Sequence, residues 1–291
     1  MLAVPEGERL FSGHSACPGC GLFLAVRYVL KALPPETVLI VPPSCIAGTD
    51  GPFPRSCLGF PTVHCTFTSP ASSASGLSRA LRVRGYEKAQ VVVFAGDGAT
   101  YDIGLQALSA AIERGEDFLY VCYNNQGYMN TGVQKSGATP WGAHTTTTPQ
   151  GKPTPMKDLM EIVRSHRIPY CATAAPAFPE DLIAKVHKAL SFRGVKYIEI
   201  LVPCVQGWGI PENATVKVSR LSVETGAFPL YEAEDGGDPR LTYFPRRRPP
   251  ISEYLDVQGR FRHLGAETVE ALQAETDRRW EKLLRTSADG V

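Results

Sequence analysis

Two short turns carry the residue types needed to hold a cation and an anion side by side. Gly96-Asp97-Gly98 follows the apolar run Val91-Val-Val-Phe-Ala95, and Asn124-Asn125-Gln126-Gly127 follows a second run at 118–123. Glycines there let main-chain N–H groups approach a phosphate, and the positive end of a following helix favours the same anion. Asp97, the Asn125 amide oxygen and a main-chain carbonyl make a set of hard oxygens suited to Mg²⁺, with positions left for phosphate oxygens and water. Alone, Gly-Asp-Gly reads as an ordinary turn. What gives it weight is Asn125, twenty-eight residues after Asp97, because one strand–helix–strand unit of about 30 residues brings two parallel strand ends together.

Sulfur supplies the second set of candidates. Of eight cysteines, four sit beside Gly or Pro in turn-like sequence: Cys17-Pro-Gly-Cys20-Gly21, Pro42-Pro-Ser-Cys45 and Pro203-Cys204. In a reducing compartment such spacing points to metal ligation rather than to disulfides. Four thiolates suit an iron–sulfur cluster and a tetrahedral Zn²⁺ alike. Cys65, Cys122 and Cys171 lie in or beside apolar strand-like runs, where a thiol packs as a small hydrophobe, and Cys57 fits neither group. Histidines can handle protons near neutrality, but His14 and His64, like Tyr128 and Trp208, read as packing or turn residues.

These turns need a frame that lines up strand ends along one edge. Short apolar runs alternate with segments of helical period, which predicts an α/β fold with a parallel, doubly wound sheet. Six strands are expected, at 37–41, 62–67, 91–95, 118–123, 170–174 and 197–202. Helices are expected from Leu22 until Pro34-Pro35, over the small residues of 71–81, along Leu105, Leu108 and Ile112 to Gly115, and at 157–165 and 179–190. Residues 124–155 carry many Gly, Thr and Pro without a period, and a loop of that length in a compact domain points to function.

Residues 1–212 thus read as the α/β domain, and 213–291 as a C-terminal arm and helix for partner contacts. The arm holds an acidic patch at 232–238, then Phe244-Pro-Arg-Arg-Arg-Pro-Pro250, then a charged helix from about Ala266. Arg246 to Arg248 form either a solvated face or a contact for an acidic partner surface.

Composition narrows the function. With 291 residues, 43% of them hydrophobic, the chain can bury a full core. Thirty basic residues against 29 acidic ones leave a charge of +1, too little field for non-specific nucleic-acid binding. No apolar run approaches the roughly 20 residues of a membrane span. The first eight residues lack the basic start and apolar stretch of a secretory signal, so a cytoplasmic address is expected.

The paired turns resemble the Gly-Asp-Gly…Asn-Asn signature of thiamin-diphosphate enzymes. Taken with the cysteines, the chain resembles the β subunit of 2-oxoacid:ferredoxin oxidoreductases, of the pyruvate:ferredoxin oxidoreductase (pyruvate synthase) type. The likeness is carried by Gly13-His14, the four turn cysteines, Gly96-Asp-Gly-Ala-Thr-Tyr-Asp-Ile-Gly104, Tyr128-Met-Asn-Thr-Gly132, Ala138-Thr-Pro140, Glu253-Tyr-Leu and Gln258-Gly-Arg-Phe-Arg-His-Leu264. One position departs: pyruvate enzymes commonly place Glu directly after the first Cys-Gly, where this chain has Leu22, which weakens the choice of pyruvate.

The resemblance implies that Gly21, Gly96, Asp97, Gly98, Ala99, Asn125, Gly127, Asn130 and Thr131 bind thiamin diphosphate. Mg²⁺ would rest on Asp97, the Asn125 side chain and the Gly127 carbonyl, with Asn130 as the catalytic residue beside the substrate. Cys17, Cys20, Cys45 and Cys204 would ligate a [4Fe–4S] cluster. The implied activity is thiamin-dependent oxidative decarboxylation of a 2-oxoacid, pyruvate by default, with electrons passed through the cluster to ferredoxin and the acyl group to coenzyme A. Oxalate, aryl, branched-chain and 2-oxoglutarate are the other substrates of such enzymes. A non-redox thiamin-dependent decarboxylase with a structural Zn site and a metal-stabilised scaffold are the competing readings. The chain shows no motif for the carboxylate that activates the thiamin pyrimidine, and no C-x₂-C-x₂-C-x₃-C-P run. The resemblance therefore implies an α subunit that supplies that Glu, together with γ/δ or ferredoxin-type subunits.

Overall fold

The runs around Val91–Ala95 and Phe118–Tyr123 carry apolar side chains on both faces, a pattern satisfied only in the middle of a sheet covered on both sides. In the computed structural model, which describes residues 4–52 and 54–288, they are the central strands. The strands in chain order are β1 (Thr37–Val41), β2 (Thr62–His64), β3 (Gln90–Gly96), β4 (Phe118–Asn124), β5 (Tyr170–Ala174), β6 (Val195–Leu201), β7 (Tyr231–Glu234) and β8 (Arg240–Leu241). They form one sheet in the order β2-β1-β3-β4-β6-β5-β7-β8. The first six are parallel, and β7 and β8 are antiparallel additions.

Helices cover both faces. On one, α1 (Gly21–Ala32) presents Leu22, Val26, Val29 and Leu30, and packs with α5 (Pro179–Ser191) over Val92, Phe94 and Val121. On the other, α2 (Pro70–Val83), α3 (Leu105–Glu113) and α4 (Leu159–Ser165) cover Val91, Val93 and Tyr120. Ala71 and Ala74 in α2 are fully buried, so the small-residue face does bring that helix close to the sheet. Cys122 and Cys171 are buried in the second of these layers and Cys57 in the first, while Cys65 packs partly buried against the second; all four act as packing.

Two expectations need correction. The second strand ends at His64 rather than residue 67. More substantially, residues 213–288 do not form an arm apart from the core. They supply β7 and β8, and the helices α7 (Thr215–Glu224) and α8 (Ser252–Leu255) build a third apolar cluster with α6 (Val205–Trp208) around Trp208, Val218, Leu230 and Tyr254. Only α9 (Ala266–Ala288) matches the expected charged helix. Among the described residues no helix is long and apolar enough to cross a membrane.

Candidate functional site

Parallel pairing of β3 with β4 sets Ala95 beside Cys122 and Gly96 beside Tyr123, so the two turns leave the same edge of the sheet as neighbours. Asp97 is fully buried, and its Oδ1 accepts from the Asn125 main-chain N–H at 3.3 Å. The Asn125 side-chain oxygen stands 2.9 Å from the Gly127 carbonyl oxygen and 2.9 Å from Asp97 Oδ1. Three oxygens thus converge with no proton between them. Turned over, the amide would donate to both neighbours; a cation among the three satisfies them without that change. Burial pushes the Asp97 carboxyl up to about 7, the behaviour of an anion whose counter-charge comes from outside the chain.

These oxygens border a cavity of about 220 Å³ whose walls include Gly96, Gly98, Ala99, Asn130 and Thr131. A Cβ on Gly98 would fall 2.4 Å from Tyr128 Cε1, so only glycine leaves main chain exposed there. After Asp97 the chain enters a π-helical turn, Gly98–Ile103, before α3 begins. The α-helix itself begins at Leu105, as expected, and the π-helical turn links it to the Asp97 strand end.

The long segment between β4 and α4 braces this floor. Gln126 has φ 65°, a left-handed conformation that costs a non-glycine residue energy and persists only when its surroundings enforce it. Its carbonyl accepts from Thr139 Oγ1 at 2.8 Å and its N–H donates to Asn124 Oδ1 at 3.0 Å. The Ser136 hydroxyl hydrogen-bonds Asp97 Oδ2. Asp102 accepts from Tyr128 at 2.9 Å and from Lys157 at 2.9 Å, tying the π-helical turn to the loop.

The four turn cysteines gather on one side of this cavity. Cys20 is the N-cap of α1 and Cys204 the N-cap of α6. A Cβ on Gly21 would lie 2.7 Å from the Pro203 carbonyl oxygen; glycine there lets the two caps close up, with Gly21 N–H donating to that oxygen at 3.2 Å. Cys45 lines the cavity itself. Burial first, then the charges of Cys204, Cys20, Asp97 and Cys17, push its thiol up to about 12. Burial also raises the Cys20 and Cys204 thiols. Among the described residues no three His, Cys, Asp or Glu side chains close tightly enough to grip a single metal ion. The charges of these cysteines act on one another, which places them in one neighbourhood.

The structure therefore brings Gly96, Asp97, Gly98, Ala99, Asn125, Gly127, Asn130 and Thr131 around one cavity, with Cys45 in its wall and Gly21 behind the cysteines rather than in the lining. The sequence did not disclose a role for Ser136, Asp102 or Thr139, although Asp102 and Thr139 lie in stretches that carry the family resemblance. Trp208 packs as expected, fully buried, but its indole N–H also holds the Asn125 carbonyl. His64 pairs with Asp50 at 3.2 Å, and His14 stacks on Phe23.

Residues 49–200 match the family described as thiamine pyrophosphate enzyme, C-terminal TPP binding domain. The chain is 46% identical to the pyruvate synthase subunit PorB of Methanothermobacter marburgensis, across 95% of this chain and 97% of that one. It is 44% identical to the ketoisovalerate oxidoreductase subunit VorB of Pyrococcus abyssi, across 97% of this chain and 94% of the relative. A solved 2-oxoglutarate:ferredoxin oxidoreductase from Magnetococcus marinus, with 2-oxoglutarate, coenzyme A and succinyl-CoA bound, shares the fold at TM-score 0.58 and 20% identity, over 74% of this chain and 84% of that one.

Proposed function

The chain belongs to the family of the PorB and VorB subunits, β subunits of 2-oxoacid:ferredoxin oxidoreductases, and from that membership we propose that it holds thiamin diphosphate, Mg²⁺ and a [4Fe–4S] cluster for the oxidative decarboxylation of a 2-oxoacid. The observation that carries this reading is the Asn125 side-chain amide standing 2.9 Å from both Asp97 Oδ1 and the Gly127 carbonyl oxygen, where its oxygen can face a shared cation. Octahedral Mg²⁺ with bonds of about 2.0–2.1 Å sets adjacent ligand oxygens about 2.9 Å apart. A cation held there would border the cavity, where the main chain of Gly96, Gly98 and Ala99 would be free to meet a diphosphate.

Bound thiamin diphosphate supplies the nucleophilic carbon and electron store that decarboxylation of a 2-oxoacid requires. The chain's own share is placement. Asp97 and Asn125 anchor the cation, Ser136 orients Asp97, and Asn130, exposed at the cavity mouth, is positioned to hydrogen-bond the substrate. Cys45 supports electron exit by its place in the cavity wall. The likeness to 2-oxoacid oxidoreductase subunits favours a cluster over zinc on these four sulfurs. Thiols raised by burial and by one another become ligands only when a metal displaces their protons.

Among the described residues Asp97 is the one acidic side chain lining the cavity, and it is committed to the cation. This supports an α subunit that brings the pyrimidine-activating Glu, and further subunits that carry electrons to ferredoxin. Leu22, where the chain departs from the pyruvate pattern, is buried in the core cluster rather than in the cavity lining. Pyruvate, with coenzyme A as acyl acceptor, is the reading we favour, and branched-chain 2-oxoacids follow from the VorB likeness.

The test is to purify the assembly without oxygen, measure iron, zinc and sulfide, and titrate it with thiamin diphosphate in the presence and absence of Mg²⁺. Iron–sulfur absorbance and Mg²⁺-dependent binding that Asp97→Asn abolishes are expected. A colourless zinc protein, or thiamin binding indifferent to Asp97, would overturn the proposal.

A further inference from the structure

The stretch Gln258-Gly-Arg-Phe-Arg-His-Leu264 lies far along the chain from both ligand sets, yet it delivers a charge between them. Arg260 is 4% exposed. Its Nη2 donates to Gln126 Oε1 at 2.6 Å and its Nε to Gln258 Oε1 at 2.9 Å. Its guanidinium lies 4.0 Å from the ring centroid of Trp208 and 4.9 Å from that of Phe261. All of these partners are neutral, and among the described residues no carboxylate pairs with it. An enclosed cation held only by neutral groups is costly unless an anion answers it nearby.

The fold sets where that anion belongs. Trp208, directly beneath the guanidinium, ends the four-residue helix that Cys204 caps. Burial lowers the Arg260 pKa, and the charges that oppose this are those of Tyr254, Cys204 and Asp97. Cys204 and Asp97 belong to the two sites described above. A cation bound at Asp97 would already answer that carboxylate, whereas a cluster held in part by Cys204 would be anionic and would stand at the start of the helix that Trp208 ends.

We propose that Arg260 is the built-in counter-charge of the cluster on Cys17, Cys20, Cys45 and Cys204, and that it raises the cluster's reduction potential. The inference rests on the cluster assignment of the preceding subsection. Reduction adds one electron to a centre already anionic through its thiolates, so a fixed positive charge in a low-dielectric setting stabilises the reduced form more than the oxidised one. Arg260 is a positioning residue in this sense: it touches neither substrate nor cofactor and acts on the cluster through space.

The experiment is an EPR-monitored redox titration of the intact complex, following the signal that Cys204→Ser removes or alters. Arg260→Gln should shift the one-electron equilibrium at least tenfold toward the oxidised form, a fall in midpoint of about 59 mV, with iron content preserved. Arg260→Lys should keep most of the wild-type midpoint. Gln126→Glu, which neutralises the guanidinium in place, should lower it as Arg260→Gln does, and decides the matter if Arg260→Gln fails to assemble. An unchanged midpoint in Arg260→Gln or Gln126→Glu with full iron overturns the inference, and so does an unchanged midpoint accompanied by weaker thiamin diphosphate binding, which would assign the charge to the diphosphate. Failure of the cluster assignment looks different: no signal in the wild type responds to Cys204→Ser.

Discussion

The indole N–H of Trp208 donates to the main-chain oxygen of Asn125 at 2.7 Å. Because Trp208 ends the helix capped by Cys204, this one bond ties the sulfur-bearing segment to the turn that faces Asp97. Trp208→Phe keeps an aromatic ring but leaves a buried carbonyl unpaired, at a cost of about 1–3 kcal/mol. Both thermal stability and thiamin diphosphate affinity should fall, as read by melting curves and by calorimetry with Mg²⁺. Wild-type affinity in the variant would show that the two segments are independent.

Ser136 makes its case through Asp97. Its hydroxyl fixes Oδ2 and leaves Oδ1 for the cation. Groups that orient a metal ligand typically cost about 10–100-fold in metal affinity when removed. Ser136→Ala should therefore weaken Mg²⁺ binding by about that factor and leave iron content unchanged. Titration of the metal-stripped complex with Mg²⁺ measures it, and an unaltered affinity would make Ser136 a packing residue.

Why Ser136 escaped the sequence while Asp97 did not is a matter of where each sits. Asp97 and Asn125 follow two strongly apolar strands, and parallel pairing makes their meeting a consequence of chain order. Ser136 returns from a segment without period, held by local bonds such as Ser136 N–H to Thr139 Oγ1 at 2.9 Å, which no spacing rule encodes. The π-helical turn at Gly98–Ile103 is hidden for a similar reason, since its extra residue per turn leaves no pattern in six residues. Strands β7 and β8 were read as an arm because Glu232, Glu234 and Arg240 break the apolar alternation. Glu232 in fact turns inward to Tyr170, Lys188 and Arg240, so ion pairing on an added edge replaced the hydrophobic signal. The four cysteines stood out by their Gly and Pro turn context, but joining them to one iron–sulfur cluster needed the family resemblance, because residues as distant as Cys17 and Cys204 are joined only by tertiary structure.

Cys204→Ser separates the two sites. Gly207 N–H donates to Cys204 Sγ at 3.3 Å, and a serine oxygen can take over that cap, so α6 and Trp208 should stay in place. Hydroxyl is a poor substitute for thiolate at iron. Iron should be lost or depleted while Mg²⁺-dependent thiamin diphosphate binding is retained within a few-fold. Full iron content in the variant would remove Cys204 from the ligand set.

The frame beneath the site has its own electrostatic test. Lys196 on β6 is 1% exposed and donates to Asp117 Oδ1 at 2.7 Å, while Arg193 reaches Asp117 Oδ2 at 3.0 Å. Burial raises the Asp117 carboxyl, but the charges and hydrogen bonds of Lys196 and Arg193 outweigh it and hold the group below its ordinary value. Asp117→Asn would leave a buried ammonium without its counter-ion, which typically costs about 3–5 kcal/mol. The pH dependence follows from the sign of the shift. A carboxyl depressed in the folded state stabilises above its unfolded value of about 3.9, and that contribution is lost as pH falls through the folded value. The melting-temperature gap between wild type and Asp117→Asn should thus be full at pH 7 and narrow below about pH 4, where the wild-type carboxyl also takes up its proton. A gap of constant size across that range would assign the cost to packing around β6 rather than to charge.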